Sequence, residues 1–293
     1  MAVVATGFFD GVHLGHRRVI ETLVSSARQR GEEAIVVTFA QHPRAVLQQD
    51  ARSLRLLTSA EEKEAMLYAL GVDRVETLPF DRAFARLTAE TYIRDILAAR
   101  LGATVLVLGY DNRIGSDRLT PDAITPIAES LGLEVIVVSP VEAVSAVAPE
   151  NRPVSSTKIR EALERGDVEA ANAMLGYAYL LRGVVVGGKQ LGRTIGFPTA
   201  NLRLYDPLKM IPARGVYLTE VKVLGRHHWG MTNVGDIIET HIFDFDEDIY
   251  GLDLELRFRR YLRPMREMES LEALKTQLAA DEADCRESLP FIK

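Results

Sequence analysis

Met1-Ala2-Val3-Val4-Ala5-Thr6-Gly7-Phe8-Phe9-Asp10-Gly11-Val12-His13-Leu14-Gly15-His16 is the stretch from which the fold is read. Met1 to Thr6 has the continuous apolar character of a strand buried on both faces, and Arg17 to Gln29 carries apolar residues at helical spacing. The glycines and histidines between them therefore occupy a strand-to-helix turn. Helix N-termini attract anions, because their first amides lack intrahelical acceptors and the helix dipole is positive there. Gly11 and Gly15 allow close approach of a ligand to the backbone, and His13 and His16 supply ring N–H donors, a combination suited to a triphosphate.

The same alternation continues outward from this turn. Ala34–Phe39, Arg74–Leu78, Thr104–Leu108 and Glu134–Val138 read as strands separated by helical patterns, which predicts a parallel sheet with helices on both faces. In such sheets ligands bind beyond the carboxyl ends of the strands. The first turn, His42-Pro43 after the second strand, and Gly109-Tyr110-Asp111-Asn112-Arg113-Ile114-Gly115 after the fourth should converge there. From about Leu180 the pattern becomes β-rich and glycine-punctuated, with strands expected at Leu181–Val186, Gly215–Val223, Ile238–Phe243 and Leu252–Phe258. That predicts a small antiparallel barrel, closed by an amphipathic helix over Ser270–Asp281 with Ser270 as N-cap. Two domains result, 1–178 and 179–293.

Composition narrows the partners. The 293 residues are 47% hydrophobic and 26% charged, with a net charge of −6. This balance argues against general binding to nucleic acid or anionic membranes, although local basic loops could still hold a nucleotide. One cysteine, Cys285, excludes an internal disulfide framework and suits a cytoplasmic setting, and neither a leader nor a membrane span is visible.

Two further segments carry chemistry. Ser155-Ser156-Thr157-Lys158-Ile159-Arg160 places hydroxyls and two cations at a predicted helix start, a second anion cradle. Gly187-Gly188-Lys189-Gln190-Leu191-Gly192-Arg193-Thr194-Ile195-Gly196-Phe197-Pro198-Thr199-Ala200-Asn201 is a glycine-rich loop able to wrap phosphates with backbone amides. Thr199 and Asn201 offer oxygens of the kind magnesium accepts. Alternation along Ile238–Phe243 puts Glu239, His241 and Phe243 on one strand face, whereas His227-His228 fall at a predicted turn.

The runs GFFDGVHLGH and SSTKIR resemble the signatures of bacterial FAD synthetases, and LGRTIGFPTAN, with ETHIFDF and DIYG, is similar to the riboflavin kinase fingerprint in the second half of the bifunctional members. The resemblance covers nearly the whole chain. It implies an α/β nucleotidyltransferase domain of Rossmann-like, parallel-sheet type, followed by a β-barrel riboflavin kinase domain with a C-terminal helix. It also implies a bifunctional enzyme that uses ATP and Mg2+ to turn riboflavin into FMN, then FMN into FAD with release of pyrophosphate.

By the same resemblance His13 and His16 act on the triphosphate, within a phosphate-binding set that includes Gly7, Phe8, Asp10, Gly11 and Gly15. Lys158 and Arg160, with Ser155, Ser156 and Thr157, meet pyrophosphate, and Asp111 orients nucleotide or metal. Asn112 and Arg113 are the flavin-side candidates. In the kinase half Glu239 is the general base, Thr199 and Asn201 the metal ligands, and Gly187, Gly192, Arg193, Gly196 and Pro198 the remaining ATP-binding set. His241 reads as structural and His227-His228 as solvated.

Two departures from the family pattern stand out. Asn112 and Ile114 replace aromatic residues, which leaves a riboflavin kinase with a decayed adenylyltransferase site as one rival reading and a non-catalytic flavin-binding module as another. Asn233-Val234-Gly235 is followed by only Asp236, Ile237 and Ile238 before Glu239, where the family has a longer loop. A true deletion and an omitted mobile loop both fit, and the omitted loop, leaving an open kinase site, is the expectation carried forward.

Overall fold

The computed structural model describes residues 1–42, 54–142, 153–188 and 191–289; Pro43, Lys189 and Gln190 of the segments above lie outside them. Its first half runs β1 (Ala2–Thr6), α1 (Leu14–Arg30), β2 (Glu33–Phe39), α2 (Ala60–Ala69), β3 (Arg74–Leu78), α3 (Ala89–Thr91, continuing as a π-helical stretch over Tyr92–Arg100), β4 (Ala103–Gly109), α4 (Pro121–Ser130) and β5 (Glu134–Val138). The five strands form one parallel sheet in the order β3-β2-β1-β4-β5.

Side-chain alternation explains the continuous apolar runs. Val4, Ile35, Val37 and Leu106 pack on one face against Tyr92, Ile93 and Leu97, while Val3, Ala5, Val36 and Val105 pack on the other against Ile20 and Leu23 of α1. Each fully buried Val, Leu or Ile contributes about 1.5–3 kcal/mol, which is why the central strands β1 and β4 are almost wholly apolar. The strand order reverses between β1 and β4, and the crevice between their carboxyl ends receives Gly7 and Gly109.

The second half comprises α5 (Ser156–Glu164), α6 (Val168–Leu175), β6 (Leu180–Val186), α7 (Leu191–Thr194), β7 (Ala200–Leu204), β8 (Gly215–Val223), β9 (Arg226–Val234), β10 (Ile238–Ile242), β11 (Asp253–Arg263) and α8 (Leu271–Ser288). Six strands close an antiparallel barrel in the order β10-β7-β6-β11-β8-β9. The sequence pattern missed β7 and β9. His227 and His228 lie on β9, not in a turn; the turn is Leu224-Gly225, whose φ values of 52° and 73° suit a two-residue hairpin loop. His227 Nδ1 pairs with Glu220 at 2.8 Å, and His228 packs edge-on against Phe245, so neither is simply solvated.

Described residues separate into two compact units between Ser156 and Thr157, earlier than residue 178/179. Side-chain and backbone bonds explain the difference. Asn172 of α6 donates to Phe258 O at 2.8 Å and accepts from Tyr179 N at 2.7 Å, and Ala213 N donates to Leu163 O of α5 at 2.8 Å, so these helices pack with the barrel.

α8 is capped by Ser270, which accepts from Ala273 N at 3.1 Å, and runs seven residues beyond the expected end. It is tied to β11 by the Arg263 fork on Asp281, at 2.8 and 2.6 Å, with Gln277 donating to the same carboxylate. Removing Arg263 would leave that buried charge unpaired, a loss of about 3–5 kcal/mol for such pairs.

β9 passes directly into β10. Val234 pairs with Ile238, and Gly235 N bonds Ile237 O at 3.2 Å. Gly235, Asp236 and Ile237 make the turn of this hairpin.

Candidate active sites

At the first turn, His13 is the N-cap of α1 and its Nδ1 accepts from His16 N at 3.3 Å. An accepting Nδ1 leaves the proton of neutral His13 on Nε2. The two imidazoles stack, with centroids 3.6 Å apart. His16 Nδ1 is shut off from solvent without a hydrogen-bond partner. Burial, then the neighbouring His13 and Lys63, hold the His16 pKa well below its ordinary value, so the ring is neutral near pH 7.

A Cβ would be tight at Gly15, 3.2 Å from the His13 ring, and at Gly7, the same distance from the Phe9 ring, so a larger residue would push on the rings of the turn. Phe9 and Val12 hold positive φ, 53° and 37°, beside Gly11 at 84°, a strained turn of the kind found at functional sites.

Two expected phosphate contacts are instead engaged behind the turn. Asp10 is buried and its Oδ1 accepts from Leu57 N at 2.9 Å and Thr58 N at 3.1 Å, while Gly11 N donates to Thr58 Oγ1 at 3.1 Å. They shape the turn. Ser156 reaches it as well, its hydroxyl donating to Asp10 O at 2.9 Å. Arg160 lies one helical turn on from Ser156, on the same face of α5, whereas Lys158 is on another and Thr157 is exposed. Ser155 precedes the helix.

Beside the histidine turn opens a cleft of about 710 Å³, lined by Thr6, Gly7, His42, Asn112, Arg113 and an aromatic wall of Phe39, Phe80 and Phe84. Those three rings pack at 5.3–5.5 Å. Asn112 Nδ2 donates to Thr6 O at 3.0 Å, locking the loop after β4 to the end of β1. Ile114 is buried in the sheet core and bridges to Leu119. The missing aromatics of this loop are thus matched by rings from elsewhere in the cleft. Asp111 is exposed and is not among the residues lining the cleft, and Phe8 packs edge-on against His42 at 4.5 Å.

In the barrel, Glu239 on β10 pairs directly with Asn201 on β7 and Asn233 on β9. With its amide oriented to satisfy both neighbours, Asn201 donates to Glu239 Oε1 at 2.9 Å and accepts from Gly188 N at 3.2 Å. A Cβ at Gly188 would overlap the Asn201 side chain, whereas Gly187 has open space. Sequence reading singled out Gly187; the close approach belongs to its neighbour. Gly192 would likewise drive a Cβ into Phe197 O, and Gly196 has φ 87°. His241 bonds Pro198 O at 2.8 Å and packs on Phe197, holding the loop in place.

Two cavities flank this strand pair. One of about 400 Å³ contains Glu239, Asn201, Gly188 and an apolar wall that includes Met231, Met265, Met268 and Leu278. The other, about 310 Å³, contains Arg193, Pro198, Thr240, Asp246 and Asp248. Thr199 lines both. Among the described residues no cluster of three His, Cys, Asp or Glu could hold a metal. None of the described helices is long and apolar enough to cross a membrane.

A histidine turn at a sheet switch point and a glycine loop facing a carboxylate on a barrel define an ATP-dependent transferase with two sites. The FAD synthetase family matches residues 1–158 and the riboflavin kinase family residues 175–289. Bifunctional riboflavin kinase/FMN adenylyltransferases from Listeria monocytogenes and Escherichia coli K12 are 36% and 34% identical to this chain. The matches cover 97% and 99% of it, and 91% and 94% of those proteins. A solved structure described as a macrolide-efflux protein from Streptococcus pneumoniae superimposes with a TM-score of 0.89 at 34% identity, covering 97% of this chain and 94% of that one. The chain belongs to the bifunctional riboflavin kinase/FMN adenylyltransferase family. Enzymes of these two families use ATP and typically a divalent cation.

Proposed function

We propose that the barrel phosphorylates riboflavin to FMN and the parallel-sheet half adenylylates FMN to FAD, in the cytoplasm, with Mg2+ as the metal of both steps. The division of labour is proposed at residues 178/179, with the SSTKIR run assigned to the first activity. The observation that carries the kinase assignment is Thr199 lining both cavities beside the Asn201–Glu239 pair. A flat apolar ring suits the methionine-rich wall of the first cavity; Gly188 and Gly192 line that same cavity while Arg193 lines the other, so the phosphates would lie along the glycine loop near Thr199, which lines both.

Glu239 takes the proton from the riboflavin 5′-hydroxyl as its oxygen attacks the γ-phosphorus of ATP. Asn201 orients that carboxylate. Thr199 and Asn201 are the oxygen ligands that would hold Mg2+, and so few protein ligands fit a cation that shares its shell with substrate phosphates. When bound, it neutralises charge on those phosphates. Glu239 and Asn201 turn towards each other here, so the amide would reverse to present its oxygen.

In the other half the FMN phosphate is already an anion and needs no base. The flavin ring suits the Phe39, Phe80 and Phe84 wall, with Asn112 and Arg113 at its edge. His13 and His16, with the first-turn amides of α1, stabilise charge on the triphosphate; Arg160, on the Ser156 face of α5, is the cation proposed for pyrophosphate, and Lys158, on another face, would reach it only through its long side chain. Asp111 orients the nucleotide.

Separate assays test the two halves. Riboflavin with ATP should yield FMN and ADP, and supplied FMN should yield FAD and pyrophosphate. FMN formation alone would favour the decayed-site reading, and neither product would favour a flavin-binding module.

A further inference from the structure

Lys63 lies outside every motif above, yet its position is unusual. It sits on α2 and is buried, 5% exposed. Its ammonium donates to Thr38 Oγ1 at 2.9 Å and to Phe8 O at 3.1 Å, and lies 4.2 Å from the Phe8 ring centroid. A buried lysine is costly unless its charge is used. Here it ties the end of β2 to the residue before the strained Phe9, at the base of the turn that presents His13 and His16.

We propose that Lys63 is a positioning residue for adenylyl transfer, acting through the Phe8 carbonyl and the end of β2 to set the turn that presents His13 and His16. This rests on the adenylyl-transfer reading of the turn. Lys63 repels a proton on His16, in the same direction as burial and His13. Desolvation brings the lysine itself down to about 8, partly offset by Asp10. The titratable groups around the pair are Asp10 on the turn, His13 on α1 and His42, whose ring packs on Phe8. A neutral His16 can stack on His13 at 3.6 Å without charge repulsion.

The test uses the full chain as Lys63→Met and Lys63→Arg, with the thermal melt and the dispersed NMR spectrum of the sheet half in each preparation as the folding control. Wild-type conversion of FMN to FAD first establishes the underlying reading; its absence would defeat that reading and not the role of Lys63. Lys63→Met should lower kcat for FAD formation tenfold or more with little change in KM for FMN, and move the acid limb of the pH profile upward. Lys63→Arg should keep the wild-type limb and recover part of the rate. His16 observed by NMR should titrate at higher pH in Lys63→Met, a reading available even where turnover is lost. An unchanged kcat for FAD formation in Lys63→Met, with the His16 titration and acid limb also unchanged, would overturn the proposal, leaving Lys63 a packing residue.

Discussion

Asn201 and Glu239 face each other across β7 and β10, the amide of one 2.9 Å from the carboxylate of the other. Glu239→Gln preserves size and most hydrogen bonding but removes the proton acceptor. FMN formation should fall ~100-fold or more, the scale of losing a general base. FAD formation from supplied FMN should continue. Near-normal kinase turnover would return Glu239 to an ordinary strand position.

The two adjacent glycines of the loop separate a steric from a compositional explanation. Gly188→Ala drives a Cβ into the Asn201 side chain, so it should displace that residue from Glu239 and cut kinase turnover at least tenfold, the order of a disrupted positioning contact. Gly187→Ala meets open space and should be nearly neutral. Equal effects of the two on FMN formation would contradict the arrangement.

Stability should depend on pH through His16. Its folded pKa lies well below 6.5, so between those values the unfolded chain binds more protons than the folded one. Stability is therefore full above about 6.5 and is lost as the pH falls towards the folded value. Asp73, held low mainly by its hydrogen bonds from Arg28, destabilises on protonation only in a more acidic range. Thermal melts at pH 7.5 and 5.5 should show a larger acid-side loss for the wild type than for His16→Asn; parallel losses would show that His16 carries no such linkage.

Packing of α5 and α6 on the barrel sets the useful boundary for a fragment. Residues 157–293 should convert riboflavin to FMN but not FMN to FAD, and should melt at higher temperature than residues 179–293, which lack the Asn172 bonds. Robust FAD synthesis by either fragment, or equal melting temperatures, would count against this division.

Much of the fold was legible because the central strands β1, β2 and β4 are buried on both faces and announce themselves as apolar runs; the partly exposed edge strands Arg74–Leu78 and Glu134–Val138 also emerge with the expected ends. β9 was not, because Arg226, His227 and His228 open it and its alternation starts only at Trp229. Local spacing placed the histidines in a strand-to-helix turn and Glu239 on a strand, and the structure has both there; the roles of these residues came from the resemblance. Gly188, Lys63 and the aromatic wall were not. The demand on Gly188 comes from a side chain on β7, Lys63 is a single cation on a helix, and Phe39 meets Phe80 and Phe84 only after β2 and β3 pair. Such signals arise from tertiary contact and leave no periodicity in the sequence.

The central claim is that one chain holds two independent transfer sites, and complementation between full-length variants tests it most directly. With riboflavin, ATP and Mg2+, Glu239→Gln alone should form little of either product. His16→Ala alone should accumulate FMN, its adenylyl transfer slowed by about two to three orders of magnitude, as for loss of a preorganised donor. An equimolar mixture of the two should make FAD, because FMN released by one intact barrel can enter the other chain's intact sheet site. A mixture that makes no FAD while the wild type does, or either variant alone making FAD from riboflavin at the wild-type rate, would contradict the account.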